Sequence, residues 1–181
     1  PFENLKSVSF DGSDDFCSVA SNPSLDIYSN SVWFKTTDSV YALLIGGYGI
    51  TGGSFAGYGG IRLNGGTNRQ IELNDGNQHF AAANIVKSDY NDGEWHNITV
   101  VYVATNYTTS TGTSSNSGKG YKIFFDNNRI DTTLSSASYN YGLMSTTDKF
   151  RVAAEGERQG YNLDAIVDEV AIFSSSLSDS D

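Results

Sequence analysis

The chain has a single cysteine, Cys17, so no intramolecular disulfide can form. In Phe16-Cys17-Ser18-Val19 the thiol reads as a small buried packing group rather than a reactive one. Basic residues are scarce. Eleven Lys and Arg stand against 21 Asp and Glu, a net charge of −10 at pH 7. That balance opposes nucleic acid, whose phosphates must be neutralised by Lys and Arg, and anionic membranes, while it suits solubility and divalent cations. No apolar stretch approaches the roughly 20 residues of a membrane helix, so no membrane insertion is expected. Pro1-Phe2-Glu3-Asn4 lacks the basic-then-apolar order of a signal peptide, and the polar end Ser178-Asp179-Ser180-Asp181 suits a domain that leads into something larger. Only two histidines are present, His79 and His96, in no local metal-ligand spacing, which argues against a His-based catalytic site. A 3.6-residue apolar period is also missing, so little helix is expected.

The 181 residues, 38% hydrophobic, fit one domain spanning 1–181. Nineteen glycines against two prolines, with many Ser, Thr and Asn residues, suit an all-β protein with numerous turns. Apolar and alternating runs predict strands over 5–10, 16–20, 31–36, 40–45, 60–64, 70–73, 79–82, 95–103, 121–126, 129–134, 149–153 and 165–173. Asn74-Asp75-Gly76-Asn77 and Asp126-Asn127-Asn128 carry residues that tolerate positive φ at a hairpin tip. A dozen strands joined this way imply two antiparallel sheets packed face to face. The run 95–103 is nearly apolar on both faces in its second half, which marks a central strand. His96 is then a structural residue at its entrance. Two segments break the rhythm: 46–66, with ten glycines, and the Ser/Thr/Asn/Gly tract 106–120, a long surface loop.

Val167-Asp168-Glu169-Val170-Ala171-Ile172-Phe173 places one carboxylate inside an apolar strand. With period two, Asp168 shares its face with Ile166, Val170 and Ile172, a face expected to be buried. A desolvated carboxylate is costly without a cation or several donors, which makes a metal ion a candidate partner. Asp11-Gly12-Ser13-Asp14-Asp15 offers closely spaced carboxylates and a glycine that frees a backbone carbonyl, and calcium takes six to eight such oxygens. The competing reading is an Asx-type turn at Asp11 and Asp14, with Asp168 accepting backbone N–H groups.

In chain order, Phe10-Asp11-Gly12-Ser13-Asp14-Asp15-Phe16, Asp92-Gly93-Glu94-Trp95-His96, Ile123-Phe124-Phe125-Asp126-Asn127 and the run 167–173 resemble the landmarks of laminin-G-like domains of the concanavalin A-like lectin and glucanase superfamily. The resemblance spans nearly the whole chain. It implies an all-β antiparallel sandwich of jelly-roll type with the first and last strands adjacent. It also implies a structural calcium ion held by Asp11, Gly12, Asp14 and Asp168. The architecture hosts lectins, glycanases, adhesins and structural modules alike.

The glucanases of that superfamily carry alternating acids on one strand in a Glu-x-Asp-x-Glu run, which this chain lacks. Glu155-Gly156-Glu157 puts two acids on one face without a third partner, so no catalytic residues are assigned. Carbohydrate recognition needs only exposed rings, amides and hydroxyls. Eleven tyrosines are present, and Tyr48, Tyr58, Tyr107, Tyr139, Tyr141 and Tyr161, with Arg158, lie in polar, turn-rich surroundings as candidate glycan contacts. Of the sequons, Asn97-Ile98-Thr99 falls in the central strand and only Asn106-Tyr107-Thr108 has room for a glycan, but with no sign of a secretory route both read as chance matches. The expected function is non-catalytic recognition of carbohydrate or a cell-surface glycoconjugate, outside the cell, at its surface or on a virion. The alternative is an assembly domain of a virion, tail fibre or surface layer that binds other protein subunits.

Overall fold

A computed structural model describes residues 6–19, 28–48, 58–63, 71–75, 79–82, 85–103, 108–109, 112–113, 120–130, 132–134, 149–153 and 162–178. Its strands are β1 (Val8–Asp11), β2 (Cys17–Ser18), β3 (Tyr28–Lys35), β4 (Ala42–Tyr48), β5 (Tyr58–Leu63), β6 (Ile71–Asp75), β7 (His79–Ala82), β8 (His96–Val103), β9 (Thr108–Thr109), β10 (Gly112–Thr113), β11 (Gly120–Phe125), β12 (Asn128–Ile130), β13 (Thr132–Leu134), β14 (Lys149–Val152) and β15 (Asp164–Phe173). A 3-10 turn, Lys87–Asp89, precedes β8. All pairings are antiparallel. A six-stranded sheet runs β1-β15-β3-β8-β11-β12, a seven-stranded sheet runs β13-β7-β6-β5-β4-β14-β2, and β9 and β10 form a small ribbon.

Alternation sorts the side chains. Val32 and Phe34 of β3, Ile98 and Val100 of β8, Ile123 of β11 and Val167 of β15 meet Leu44 and Ile45 of β4, Ile61 and Leu63 of β5, Ile71 of β6 and Phe150 of β14 in one core. As the apolar run predicted, β8 is central, and Val100 and Val101 are both buried although they point to opposite faces. The single expected strand 129–134 divides in two. Its first half pairs with β11 and its second with β7, so the chain crosses between sheets at this point.

Two local expectations need correcting. Cys17 is exposed, because β2 is a two-residue edge strand whose side chains have no outer neighbour to cover them. In β15 the buried face carries Ala165 and Val167, whereas Asp168 is only half-buried and Val170 is exposed. A bulge explains the inversion. Asp168 pairs with Trp33 and Ala171 with Ser31, so Glu169 and Val170 together oppose Val32. Glu169 takes φ +45° there, and the inserted residue resets the alternation so that Ile172 packs on the core.

Candidate carbohydrate interface

The turn after β1 holds Asp11, Gly12 and Asp14. The Ser13 N–H donates to Asp11 Oδ1 at 2.8 Å, an Asx-type turn. Gly12 has φ +76°, and a Cβ there would come within 3.2 Å of Asp164 Cβ, so glycine lets the turn close against β15. The register sets Asp11 opposite Asp164. Asp168 lies four residues further along β15, about 13 Å away at strand rise, and its Oδ1 accepts the Glu169 N–H at 2.8 Å. The turn and Asp168 are therefore not brought together, and Asp11, Gly12, Asp14 and Asp168 do not form one ligand set. Among the described residues no group of three or more Asp, Glu, His and Cys side chains is arranged to hold a metal ion.

His96 stands at the start of β8 between two carboxylates. Its Nδ1 is 2.8 Å from Asp126 Oδ2 and its Nε2 is 3.1 Å from Asp92 Oδ1. Asp126 is placed by a two-residue turn in which Asp126 and Asn127 have φ of 47° and 64°, the left-handed pair that a tight hairpin between β11 and β12 requires. Its Oδ1 also accepts the Asn97 N–H at 2.8 Å. Asp92 accepts the Glu94 N–H at 2.8 Å. Burial opposes a charged ring, yet the hydrogen bonds and charges of Asp126 and Asp92 outweigh it, so the His96 pKa rises above its ordinary value. The Glu94 N–H first, then His96, hold the Asp92 carboxyl low. With both nitrogens engaged and the ring stacked on Phe125 at 5.1 Å, His96 locks the β11–β12 hairpin to β8.

The outer face of the six-stranded sheet is different in kind. Asn97 of β8 lies opposite Trp33 of β3, and Thr99 lies opposite Ser31 on one side and Phe124 of β11 on the other. Asn97 Nδ2 donates to Ser31 Oγ at 3.3 Å and to Val32 O at 3.2 Å. Thr99 Oγ1 donates to Asn97 Oδ1 at 3.2 Å. Since the one Thr99 proton is used there, the 2.9 Å contact between Ser31 Oγ and Thr99 Oγ1 has Ser31 as donor. The three side chains thus close a hydrogen-bonded ring. Asn97 is 7% exposed with its amide committed, so its sequon is structural. Trp33 and Phe124 are half-buried beside the ring, and Trp95, just before β8, is 40% exposed. At the far end the Ser29 hydroxyl donates to Ser175 O, and the Leu177 N–H donates to Ser29 Oγ, so the segment after β15 covers that end.

The seven-stranded sheet offers no such platform over β4 and β5. Leu43 and Arg62 face away from the core as cross-strand partners, yet are only 3% and 1% exposed. Arg62 donates to Tyr41 Oη at 2.6 Å and lies 5.3 Å from that ring's centroid. Gly46 beside them is required by crowding, since a Cβ there would stand 2.5 Å from Gly60 Cα. At the side of the sandwich a cavity of about 260 Å³ opens among Val8, Phe10, Cys17, Val152, Val167 and Asp168. It lies where the edge strands β1 and β2 leave the two sheets uncovered.

The tyrosine candidates are not brought into this picture. Tyr48 and Tyr58 sit at the ends of β4 and β5 with side chains outside the description, and Tyr107, Tyr139, Tyr141, Arg158, Tyr161, Glu155 and Glu157 lie outside the described residues. Among the described residues the register puts Trp33, Phe124 and the exposed Phe173 on the outer face, and Trp95, also exposed, stands two residues before Asn97. The alternation Ser31-Val32-Trp33-Phe34-Lys35 carried the signal, because an aromatic between two core residues must point outward.

Comparison with solved structures agrees with the two-sheet order. A domain of the arabinanase of Geobacillus stearothermophilus, solved with arabinotriose, covers 99% of this chain and 75% of its own, with TM-score 0.63 and 12% identity. The CBM40 domain of the Ruminococcus gnavus IT-sialidase, solved with α2,3-sialyllactose, covers 97% and 94% with TM-score 0.65 and 12% identity. The fold is the concanavalin A-like jelly roll. A mouse laminin α1 segment with domains LG4-5 has the same jelly roll over 98% of this chain and 44% of its own, with TM-score 0.61 and 10% identity. No family model matches the sequence, and no curated protein sequence matches it.

Proposed function

We propose that this jelly roll is a non-catalytic carbohydrate-recognition module that works outside the cell. The observation that carries the reading is the outer face of the six-stranded sheet, where Trp33 and Phe124 flank a fixed cluster of hydroxyl and amide groups and Trp95 stands exposed just before β8. Sugars present apolar C–H faces and hydroxyl rims, and such a surface meets both. Two solved structures of similar fold hold saccharides, arabinotriose in one and α2,3-sialyllactose in the other, which supports the same use of the fold. The identities of 12% carry fold, not specificity.

The test is binding of the purified domain to a broad glycan array, followed by recovery of the bound glycan. Reproducible binding to one class of glycan, recovered uncut, is the expected result. Release of new reducing ends would contradict the non-catalytic reading. A blank array from a folded sample would favour assembly with other subunits.

A further inference from the structure

Resting on the carbohydrate reading, we infer that the ligand is a neutral oligosaccharide lying across β3, β8 and β11, stacked on Trp33, Trp95 and Phe124 and anchored at Ser31 and Thr99. The anchor fixes the ligand's polarity. In the Asn97, Ser31 and Thr99 ring every donor is spent. The two Asn97 amide protons go to Ser31 Oγ and Val32 O, the Thr99 proton to Asn97 Oδ1, and the Ser31 proton to Thr99. What remains free on these hydroxyls is acceptor lone pairs, which match ligand hydroxyl donors. Carboxylates and sulfates have no proton to give to these hydroxyls, and the cations that share the face beside Phe124, Arg129 opposite it and Lys122, already have partners. Such anions would also approach a chain of net charge −10.

The spacing fixes the ligand's size. Trp33 and Phe124 flank β8 with a two-residue offset, since Trp33 is level with Asn97 and Phe124 with Thr99. Two interstrand steps and two residues of rise set their Cα atoms about 12 Å apart, further than one sugar ring bridges. A linked chain of sugars reaches both. Over β4 and β5 of the seven-stranded sheet the outward residues Leu43 and Arg62 are already covered.

Of the two tryptophans, Trp33 lies on this face and Trp95 is exposed two residues before Asn97, the face's β8 member, so their emission is the readout of occupancy. Arabinotriose, cellotriose, mannotriose and α2,3-sialyllactose are titrated against the whole chain, with the matching monosaccharides alongside. A neutral trisaccharide should shift the emission, its monosaccharide should bind at least tenfold more weakly, and Trp95→Ala should weaken binding about tenfold. Trp33→Ala is read only if its circular dichroism stays native, with Trp33→Phe retaining most of the affinity. Unchanged affinity in Trp95→Ala and Phe124→Ala, or loss confined to Tyr48→Ala or Tyr107→Ala, overturns the placement while leaving carbohydrate recognition standing. Binding of sialyllactose alone overturns the neutral class. No binding to these probes or to any glycan on a broad array overturns both readings.

Discussion

At the residue scale His96 is constrained on three sides, held by Asp126 and Asp92 and stacked on Phe125. Its folded pKa lies above the unfolded value of 6.5. A raised His pKa contributes stability that is complete below about 6.5 and is lost as pH rises through the folded value. The unfolding temperature is therefore expected to be higher at pH 6 than at pH 8, and His96→Gln should remove most of that difference. Asp92 works in the opposite sense. Its lowered pKa contributes above the ordinary carboxylate range and is lost as pH falls through the folded value, so stability declines again in acid. A thermal-unfolding series across pH checks both limbs. A flat response between pH 6 and 8 would contradict the account of His96.

At the element scale, β15 shows how far sequence reading went and where it stopped. Its length and apolar character were legible, and eleven of the twelve predicted strands each match one observed strand, while 129–134 divides into β12 and β13. The face of Asp168 was misjudged because strict alternation has no place for the extra residue at Glu169 and Val170. A bulge reads as ordinary strand when the positive-φ position is Glu instead of Gly. The same fact makes a prediction. Glycine takes φ +45° without strain, so Glu169→Gly should raise the unfolding temperature by roughly 2 °C, while Glu169→Val, β-branched at that φ, should lower it. Equal midpoints for the two variants would show that the bulge is not held as described. The hairpin turn at Asp126 and Asn127 was legible for the converse reason, since Asp and Asn advertise positive φ.

The whole molecule was legible as an antiparallel sandwich because pattern, turn residues and ordered landmarks agreed. The outward rings Trp33 and Phe124 are legible only through strand alternation, since each sits between core residues, and the tyrosine candidates lie outside the described residues or carry side chains outside the description. Long-range register also decides the metal question. Joining Asp11, Gly12 and Asp14 to Asp168 depended on the first and last strands being adjacent, which they are, but Asp11 faces Asp164. If calcium binds the folded state only, it raises the unfolding temperature. The register predicts that Asp168→Asn leaves a calcium response intact and Asp11→Asn reduces it. Abolition by Asp168→Asn would restore the four-residue set.

The central claim is that the outer face of the six-stranded sheet meets the ligand. The most direct measurement is a nitrogen–proton correlation spectrum of the labelled domain during titration with a glycan identified on the array. The chain has two tryptophans and so two indole N–H signals. Both, together with the Asn97 side-chain amide, are predicted to move in step with saturation. Saturable binding that leaves all three in place, with shifts elsewhere, would contradict it.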